Sequence, residues 1–537
     1  MKFGDEPILT LSDSGRLRHA VKYAVLAGIA GMGWTPVVGA QEAAPAAGEG
    51  TEQLETIEVT GTRIRRVDLE TASPVFVIDR ESIEKSGVPT LGELLQDMPS
   101  IAGAATNPQV NNGGGGGAAT VSLRGLSSDR TLLLLNGRRL ITSDVNAIPI
   151  NLVERVEVLK DGASSVYGSD AVAGVVNIIT RKNFQGSEYA AAYGISSRDD
   201  NETGNAWLTM GLPSERGNLM FGLNYDDIAA VSSSDRDFSK NPWALYYGQQ
   251  IVLGSSRTFP HRIRVPTPAT AGITLDCDGD GNITEAVVVR RIDGTDGRQA
   301  SDYRCFIGGG PGNDTYDFQD VNVNVTPQER FGTWLQGDYQ VAQDVNFFTE
   351  VFYHNTKSNF QIAPEPYDNR ASFANTPVTA TNVFNPFGQD LTDVRVRLVD
   401  VGNRTEQFDT DRYQINAGFK GTGLGGMLEN WQWEGYLTQG RIKQTSAANG
   451  ELYTPAMLAA LGPSFDNADN NPAADADGDG DPIDQPTCGT ANTAATGAPP
   501  PAPTVVLNCI PVDFFGSISS DSVAAIAPEV HDRASST

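Results

Sequence analysis

ERVEVLKDGASSVYGSDAVAGVVNIITRK, residues 154–182, decides how this chain is read. Val153 to Leu159 form an apolar run rich in β-branched residues, which reads as a strand. Lys160-Asp161-Gly162 then make a turn. A stretch rich in Gly, Ser and Ala follows, with Tyr167-Gly168 and Ala173-Gly174 inside it. Val175 to Ile179 form a second apolar strand, closed by Thr180-Arg181-Lys182.

Working outward, residues 62–182 are expected to fold as one compact α/β domain. Pro74 to Ile78 read as a strand. Leu91-Gly92-Glu93-Leu94-Leu95 reads as an amphipathic helix that Pro99 ends. Asn107 to Gly117 reads as a mobile loop ending in five glycines. A GxGxxA match falls in that glycine run. A nucleotide fingerprint needs a strand before it and a helix after it. Here Asn111-Asn112 precede it and the β-like Val121-Ser122-Leu123 follows, so a loop is the better reading. Thr131 to Leu135 read as a buried strand entering the tight Asn136-Gly137 turn.

After residue 186 the texture changes to alternation with a period of two. Leu219, Phe221, Leu223 and Tyr225 alternate with Asn218, Met220, Gly222 and Asn224. Tyr413, Ile415, Ala417 and Phe419 alternate with Arg412, Gln414, Asn416 and Lys420. Trp431, Trp433 and Leu437 alternate with Gln432, Glu434 and Thr438, and similar runs occupy 205–212, 330–340 and 344–354. Successive strand side chains point to opposite faces, so each strand has one apolar and one polar face. A soluble sandwich buries the apolar face in protein; a transmembrane barrel turns it toward lipid. Segments of about 9–12 residues with aromatics near their ends suit the barrel. Long Pro-, Asp-, Asn- and Gly-rich insertions, roughly 232–326 and 446–537, separate the strands.

The chain has 537 residues and a net charge of -27, from 39 Lys+Arg against 66 Asp+Glu. That length calls for more than one structural unit. The negative balance argues against nucleic acid as a partner. Residues 1–40 read as a signal peptide. Arg16, Arg18 and Lys22 supply positive charge, Tyr23 to Val38 are apolar, and Val38-Gly39-Ala40 offers a small-residue cleavage site. Export permits disulfides. Cys277, Cys305, Cys488 and Cys509 can pair locally, 277 with 305 and 488 with 509, and other connectivities remain open to four cysteines. Each local loop would gain roughly 3–4 kcal/mol in the chain-entropy model.

Asp276, Asp278 and Asp280 form a DxDxDG pattern, and Asp475, Asp477 and Asp479 form another. Closely spaced carboxylates can offer hard oxygen ligands to calcium. Val287 and Pro486 stand where a calcium loop carries its twelfth-position Glu, so solvated acidic turns are the competing reading. Beyond possible calcium, no cofactor is expected. The histidines, His19, His261, His354 and His531, are scattered, and no GxSxG or P-loop motif occurs, so no enzymatic activity is expected.

The segment at 154–182 closely resembles the end of the plug domain of TonB-dependent outer-membrane receptors. Arg63, Ser73-Pro74-Val75, Leu94-Leu95 and Pro99 are similar to the early plug pattern of that family. Leu123-Arg124-Gly125 and Leu132 to Arg139 are similar to its middle. Thr56, Ile57, Glu58, Val59 and Thr60 resemble the TonB box, tethered by the flexible Ala/Gly/Glu-rich linker that occupies 41–53. The resemblance implies an α/β plug at 62–182 after a periplasmic segment at 41–61. It implies that 183–537 begin an antiparallel transmembrane β-barrel with long loops, in the outer membrane, the plug facing the periplasm. The implied function is energised uptake of a scarce ligand such as a siderophore, cobalamin, carbohydrate or peptide. TonB is the implied partner, reached by adding the box as an edge strand. Family barrels have 22 strands, whereas roughly 6–10 candidates are found here. The barrel is therefore expected to be incomplete, as in a truncated or partial chain. The competing function is a calcium-stabilised binding or adhesion protein without transport.

Overall fold

The computed structural model describes residues 75–101, 116–160, 164–308, 312–370, 376–423 and 431–466, with parts of 486–536. The first sheet contains β1 (Val75–Asp79), β2 (Thr131–Leu135), β3 (Arg138–Arg139), β4 (Val153–Leu159) and β5 (Gly174–Thr180), in the order β1-β4-β5-β2-β3. β2 and β5 run parallel and the other neighbours antiparallel. Helices α1 (Arg80–Ser86) and α2 (Leu91–Gln96) follow β1, and α3 (Ser164–Tyr167) precedes β5. The side chain of Asp79 accepts from the Ser82 amide at 2.9 Å and opens α1. Thr90 does the same for α2, accepting from the Glu93 amide at 3.3 Å. β2 and β4 have the limits expected from sequence, β1, β5 and α2 end a residue away from them, and α1, α3 and β3 were not expected.

Two glycines are required by this layer. Gly137 has φ +80° and follows Asn136 at φ 52°, which makes the two-residue turn between β2 and β3. Gly174 has φ +135°, and a Cβ there would lie 2.4 Å from the carbonyl oxygen of Leu159. The core gathers Leu95, Leu123, Leu135, Val156 and Val176, and it continues into Met220, Trp334 and Phe352 of the strands described next.

The chain then runs into β6 (Gly186–Gly194), β7 (Thr203–Ser214) and β8 (Gly217–Ile228). A first insertion holds β9 (Val231–Ser232), β10 (Trp243–Tyr246), β11 (Gln249–Val252), β12 (Arg262–Val265), β13 (Val287–Arg291), β14 (Tyr303–Cys305) and β15 (Val323–Val325). β16 (Gln328–Ala342) and β17 (Val345–Ile362) follow, then a second insertion with β18 (Pro366–Asp368) and β19 (Val394–Arg397). β20 (Arg404–Thr422) and β21 (Gln432–Asn449) lead to a third insertion. It contains α4 (Thr454–Ala460), β22 (Ser464–Asp466), β23 (Pro486–Thr490), β24 (Thr504–Val505) and α5 (Ser520–Ile526), and β25 (Val530–Ser536) comes last.

Eight of these strands form one antiparallel wall, ordered β25-β21-β20-β17-β16-β8-β7-β6. Among the described residues the wall is open: β6 and β25 are its two edges and do not pair with each other. This agrees with the expected antiparallel strands of an incomplete barrel. Short turns join the strands at one end, and the insertions leave from the other.

The ambiguity of the two-residue period is resolved by which face is covered. Leu219, Leu223, Ile415 and Phe419 are exposed, while Gln336, Glu350, Gln414 and Asn416 on the opposite face are buried. The apolar face therefore points away from the protein, as a lipid-facing wall requires. Tyr353 and Tyr413 are paired near its long-loop end, and Phe347 and Phe419 are paired six residues away near the short turns. Six residues of antiparallel strand span about 20 Å, in keeping with an apolar band between aromatic girdles. Strands of 15–19 residues exceed the expected 9–12. Their excess lies at the long-loop end, where Asn355 faces Asp411 and Lys357 faces Asp409. Polar pairs of this kind belong above a bilayer rather than in it.

The insertions differ from the polar loops expected. β14, β13, β12, β19 and β18 form a second sheet, and α4 and α5 belong to the same unit. Ile263, Val289, Tyr367, Val396, Met457 and Ile526 share its buried core. Three separate segments contribute to that core, so none of them alone displays a core-forming pattern.

Candidate functional site

The site of interest is the seat of the plug on the polar face of the wall. The Asn136-Gly137 turn carries Arg138 to it. The Arg138 guanidinium donates to Glu350 Oε1 at 3.0 Å and also meets Glu434. It lies over the Phe348 ring, 4.1 Å from the centroid, with Tyr436 at 5.1 Å. Glu350 is a shared acceptor: Asn136 Nδ2 donates to its Oε1 at 2.9 Å and Asn416 Nδ2 to its Oε2 at 2.9 Å. Arg138 and Glu350 are exposed by only 11% and 9%, so this is a desolvated, charge-assisted cluster.

Above it, Gln414 grips the plug backbone. Its Oε1 accepts from the Ile141 amide at 3.0 Å, and its Nε2 donates to the Arg139 carbonyl at 2.9 Å. One side-chain amide thus satisfies the two backbone groups that a neighbouring strand would have satisfied. Further up, the Asp144 carboxylate accepts from the Ala119 amide at 2.9 Å and lies 3.6 Å from Arg412. Arg330 donates to the Gly117 carbonyl at 3.3 Å. On the other flank Asn151 donates to Thr209 at 3.0 Å, and Gln336 reaches the Arg181 carbonyl.

A cleft of about 570 Å³ opens between α1, α2 and the long-loop ends of β6 to β8, with Arg80, Glu93, Asn146, Trp207, Asp226 and Arg330 among its lining. Burial raises the Glu93 carboxyl above its usual range, against the pull of Arg330. Amides, carboxylates, arginine and an indole in one cleft suit a polar ligand with an apolar face.

The residues singled out from sequence are distributed unevenly. Thr56, Ile57, Glu58, Val59 and Thr60 lie outside the described residues, as do Asp475, Asp477 and Asp479. Asp276, Asp278 and Asp280 place their carboxylates within 4.8 Å of one another, all exposed. Asp276 accepts from the amides of Gly279 at 2.7 Å and Gly281 at 2.9 Å, and those bonds, Gly281 first, hold its carboxyl below the usual range. Cys277 is bonded to Cys305 and Cys488 to Cys509, with Cα atoms 5.4 and 6.0 Å apart. Sequence reasoning did not single out Glu350, Gln414, Arg412 or Glu434. The first three lie on the polar positions of alternating strands, the available signal. Glu434 is the harder case because Gly435 and Tyr436 break the alternation just after it.

Residues 68–175 match the TonB-dependent Receptor Plug Domain family. The vitamin B12 transporter BtuB of Vibrio cholerae is 32% identical over 199 residues, which cover 34% of this chain and 31% of that protein. The matched part is thus about a third of the length of that curated relative. Among solved structures, the siderophore receptor PirA from Pseudomonas aeruginosa is similar at 15% identity, with a TM-score of 0.31, over 71% of this chain and 51% of that one. The ferric preacinetobactin receptor BauA from Acinetobacter baumannii is similar at 12% identity, with a TM-score of 0.33, over 71% and 48%. Residues 68–175 are thus a plug domain of the TonB-dependent receptor type, joined in this chain to an antiparallel wall whose polar face is turned to that plug.

Proposed function

We propose that this chain serves energised uptake of a ligand across the outer membrane, with the plug as the movable part. The observation that carries the reading is the chemistry of the plug's seat. Beside the apolar contact at Met220, Trp334 and Phe352, much of it is polar, made by Arg138, Gln414, Asn151 and Gln336. A neutral intramolecular hydrogen bond contributes only about 0.5–1.5 kcal/mol net, and one to a charged group about 1.5–3 kcal/mol, because water replaces it when it opens. Such a seat can be released group by group under a pull, and water can enter behind it. An uninterrupted apolar seat would resist wetting.

The pull is assigned to TonB acting on Thr56 to Thr60. An extended Thr-Ile-Glu-Val-Thr segment offers alternate backbone groups to an exposed sheet edge. The cleft beside α1 and α2 is the proposed ligand entry. The test is capture of the purified full chain by the periplasmic C-terminal domain of the cognate TonB. Ile57→Pro removes one donor and fixes φ, so binding should be lost. Equal capture of the variant and the parent chain would overturn the assignment of the box. Uptake of radiolabelled vitamin B12 and of a ferric siderophore by cells carrying the chain then separates two ligand classes.

A further inference from the structure

Four arginines stand in one row across the five-stranded sheet of the inserted subdomain. Arg304 faces Arg290, Arg290 faces Arg262, Arg262 faces Arg395, and Arg395 faces Asp368. Residues opposed in an antiparallel pair project from the same face, and like charges placed so are destabilising. The other face carries Ile263, Val289 and Val396 into the core, so the arginines cannot turn that way.

Carboxylates offset the row unequally along its length. At one end Asp314 accepts from Arg304 at 2.8 Å and lies 3.5 Å from Arg290, while Asp293 accepts from Arg290 at 3.0 Å. That end has two arginines for two aspartates. At the other end Asp393 accepts from Arg395 at 2.8 Å and lies 3.4 Å from Arg262. Asp368 lies 2.9 Å from Arg257, and Arg370 sits 3.6 and 3.4 Å from Asp368 and Asp393. Four guanidiniums therefore share two carboxylates. A guanidinium has five N–H donors and a carboxylate about four acceptor positions, so the four guanidiniums carry more donors than the two carboxylates can accept. Burial first, and then the charge of Arg395, lowers the pKa of Arg262, while Asp393 pulls the other way. Arg257 and Arg370 are 36% and 46% exposed, so solvent and solutes reach the cluster. A chain of net charge -27 has concentrated cations here.

We propose that Arg257, Arg262, Arg370 and Arg395 form an oxyanion site that takes a carboxylate or phosphate group of a small ligand. The proposal names a ligand class for the uptake reading and rests on that reading for its purpose, while the site itself does not depend on TonB. Planar guanidiniums bind such groups through paired hydrogen bonds, and Asp368 and Asp393 hold the forks in place.

The test is calorimetric titration of the purified full chain with sodium phosphate and, separately, with citrate, at constant ionic strength set by chloride. Saturable binding of either anion is expected. The double variant Arg257→Gln with Arg370→Gln, both at partly exposed positions, should weaken it about tenfold or more. Arg264→Gln, on the same strand but outside the four, should change it less than about twofold. Melting curves of the variants show that each is folded. Absence of saturable binding by both anions, or equal binding by the double variant, overturns the proposal. Binding confined to phosphatidylglycerol vesicles overturns the small-ligand assignment in favour of a lipid headgroup. Anion binding that persists when TonB capture fails sinks the uptake reading and leaves the site standing; the reverse outcome does the opposite.

Discussion

Arg138 of the plug donates to Glu350 of the wall at 3.0 Å, and both side chains are almost entirely buried. Glu350 also accepts from Asn136 and Asn416, so its removal takes an acceptor from three donors at once, of which Arg138 keeps Glu434 and Asn136 keeps Thr180. Taking one partner from a buried pair typically costs about 3–5 kcal/mol. Glu350→Ala should therefore loosen the plug by an amount of that order. Hydrogen exchange at residues 131–139 is the readout, with faster exchange expected there than around Leu95. Arg138→Met combined with Glu350→Leu should recover part of the loss, since a matched apolar pair avoids the stranded charge. Unchanged exchange in Glu350→Ala would show that the pair does not hold the plug.

The glycine at 174 is required for a different reason. A Cβ there would sit 2.4 Å from the Leu159 carbonyl oxygen and 2.7 Å from Leu123, at φ +135°. Gly174→Ala should destabilise the plug by about 3 kcal/mol or more, through clash and backbone strain together. Gly87→Ala is the control. It also has positive φ, but no atom lies within 4 Å, so about 1 kcal/mol is expected. Equal melting shifts for the two variants would contradict this account.

Much of this was legible because local and tertiary preferences agree. Thr131 to Leu135 is a nearly continuous apolar run buried throughout, Val153 to Leu159 sets four apolar residues among Glu154, Arg155 and Glu157, and the limits of both are readable to the residue. Asn136-Gly137 announces its turn by chemistry alone. The polar face of the wall was legible as a pattern but not as a site. Alternation marks Glu350 and Gln414 as inward, yet their pairing with Arg138 and Ile141 spans more than 200 residues of chain. The inserted subdomain was missed because its core is assembled from short strands in separate segments. Even so, Arg262-Ile263-Arg264-Val265 and Val394-Arg395-Val396-Arg397 both carry the strand period.

The outward face of the wall invites a charge test. Ile415 is exposed and aligned with Val351 and Leu335 across neighbouring strands. In lipid, an arginine near mid-bilayer costs about 2–4 kcal/mol. Ile415→Arg should lower the fraction of chain recovered in outer-membrane preparations, whereas Asn355→Arg, beyond the girdle, should not. In water both substitutions would be nearly neutral, so equal recovery would argue that the face is not lipid-exposed.

The acidic loop at Asp276 is closed by its own backbone. Asp276 already accepts from Gly279 and Gly281, and Asp280 accepts from the Asn282 amide at 2.8 Å, so the loop already engages half of the oxygens its three carboxylates could offer. Weak extracellular calcium sites have dissociation constants of about 0.1–1 mM, so calcium at about 10 mM should saturate one and raise Tm. No saturable rise is expected here. A rise that Asp278→Asn abolishes would establish a calcium loop.

His261 gives the inserted subdomain a dependence on acid. Its ring stacks near Phe515, with centroids 6.5 Å apart, and is 2% exposed. Burial, with Arg291 adding to it, pushes its pKa from 6.5 down to about 3. Between those values the unfolded chain takes up a proton that the folded chain refuses. Stability therefore rises with pH through this window, and the contribution of the neutral ring is lost as pH falls from about 6.5 toward 3. Melting of the subdomain should shift downward on acidification from pH 7 to pH 4. In His261→Gln the carboxylates still titrate, so a slope remains at the acid end, but it should be shallower between pH 6.5 and 4.5. An unchanged slope in that interval would mean that His261 is not the group that senses the proton.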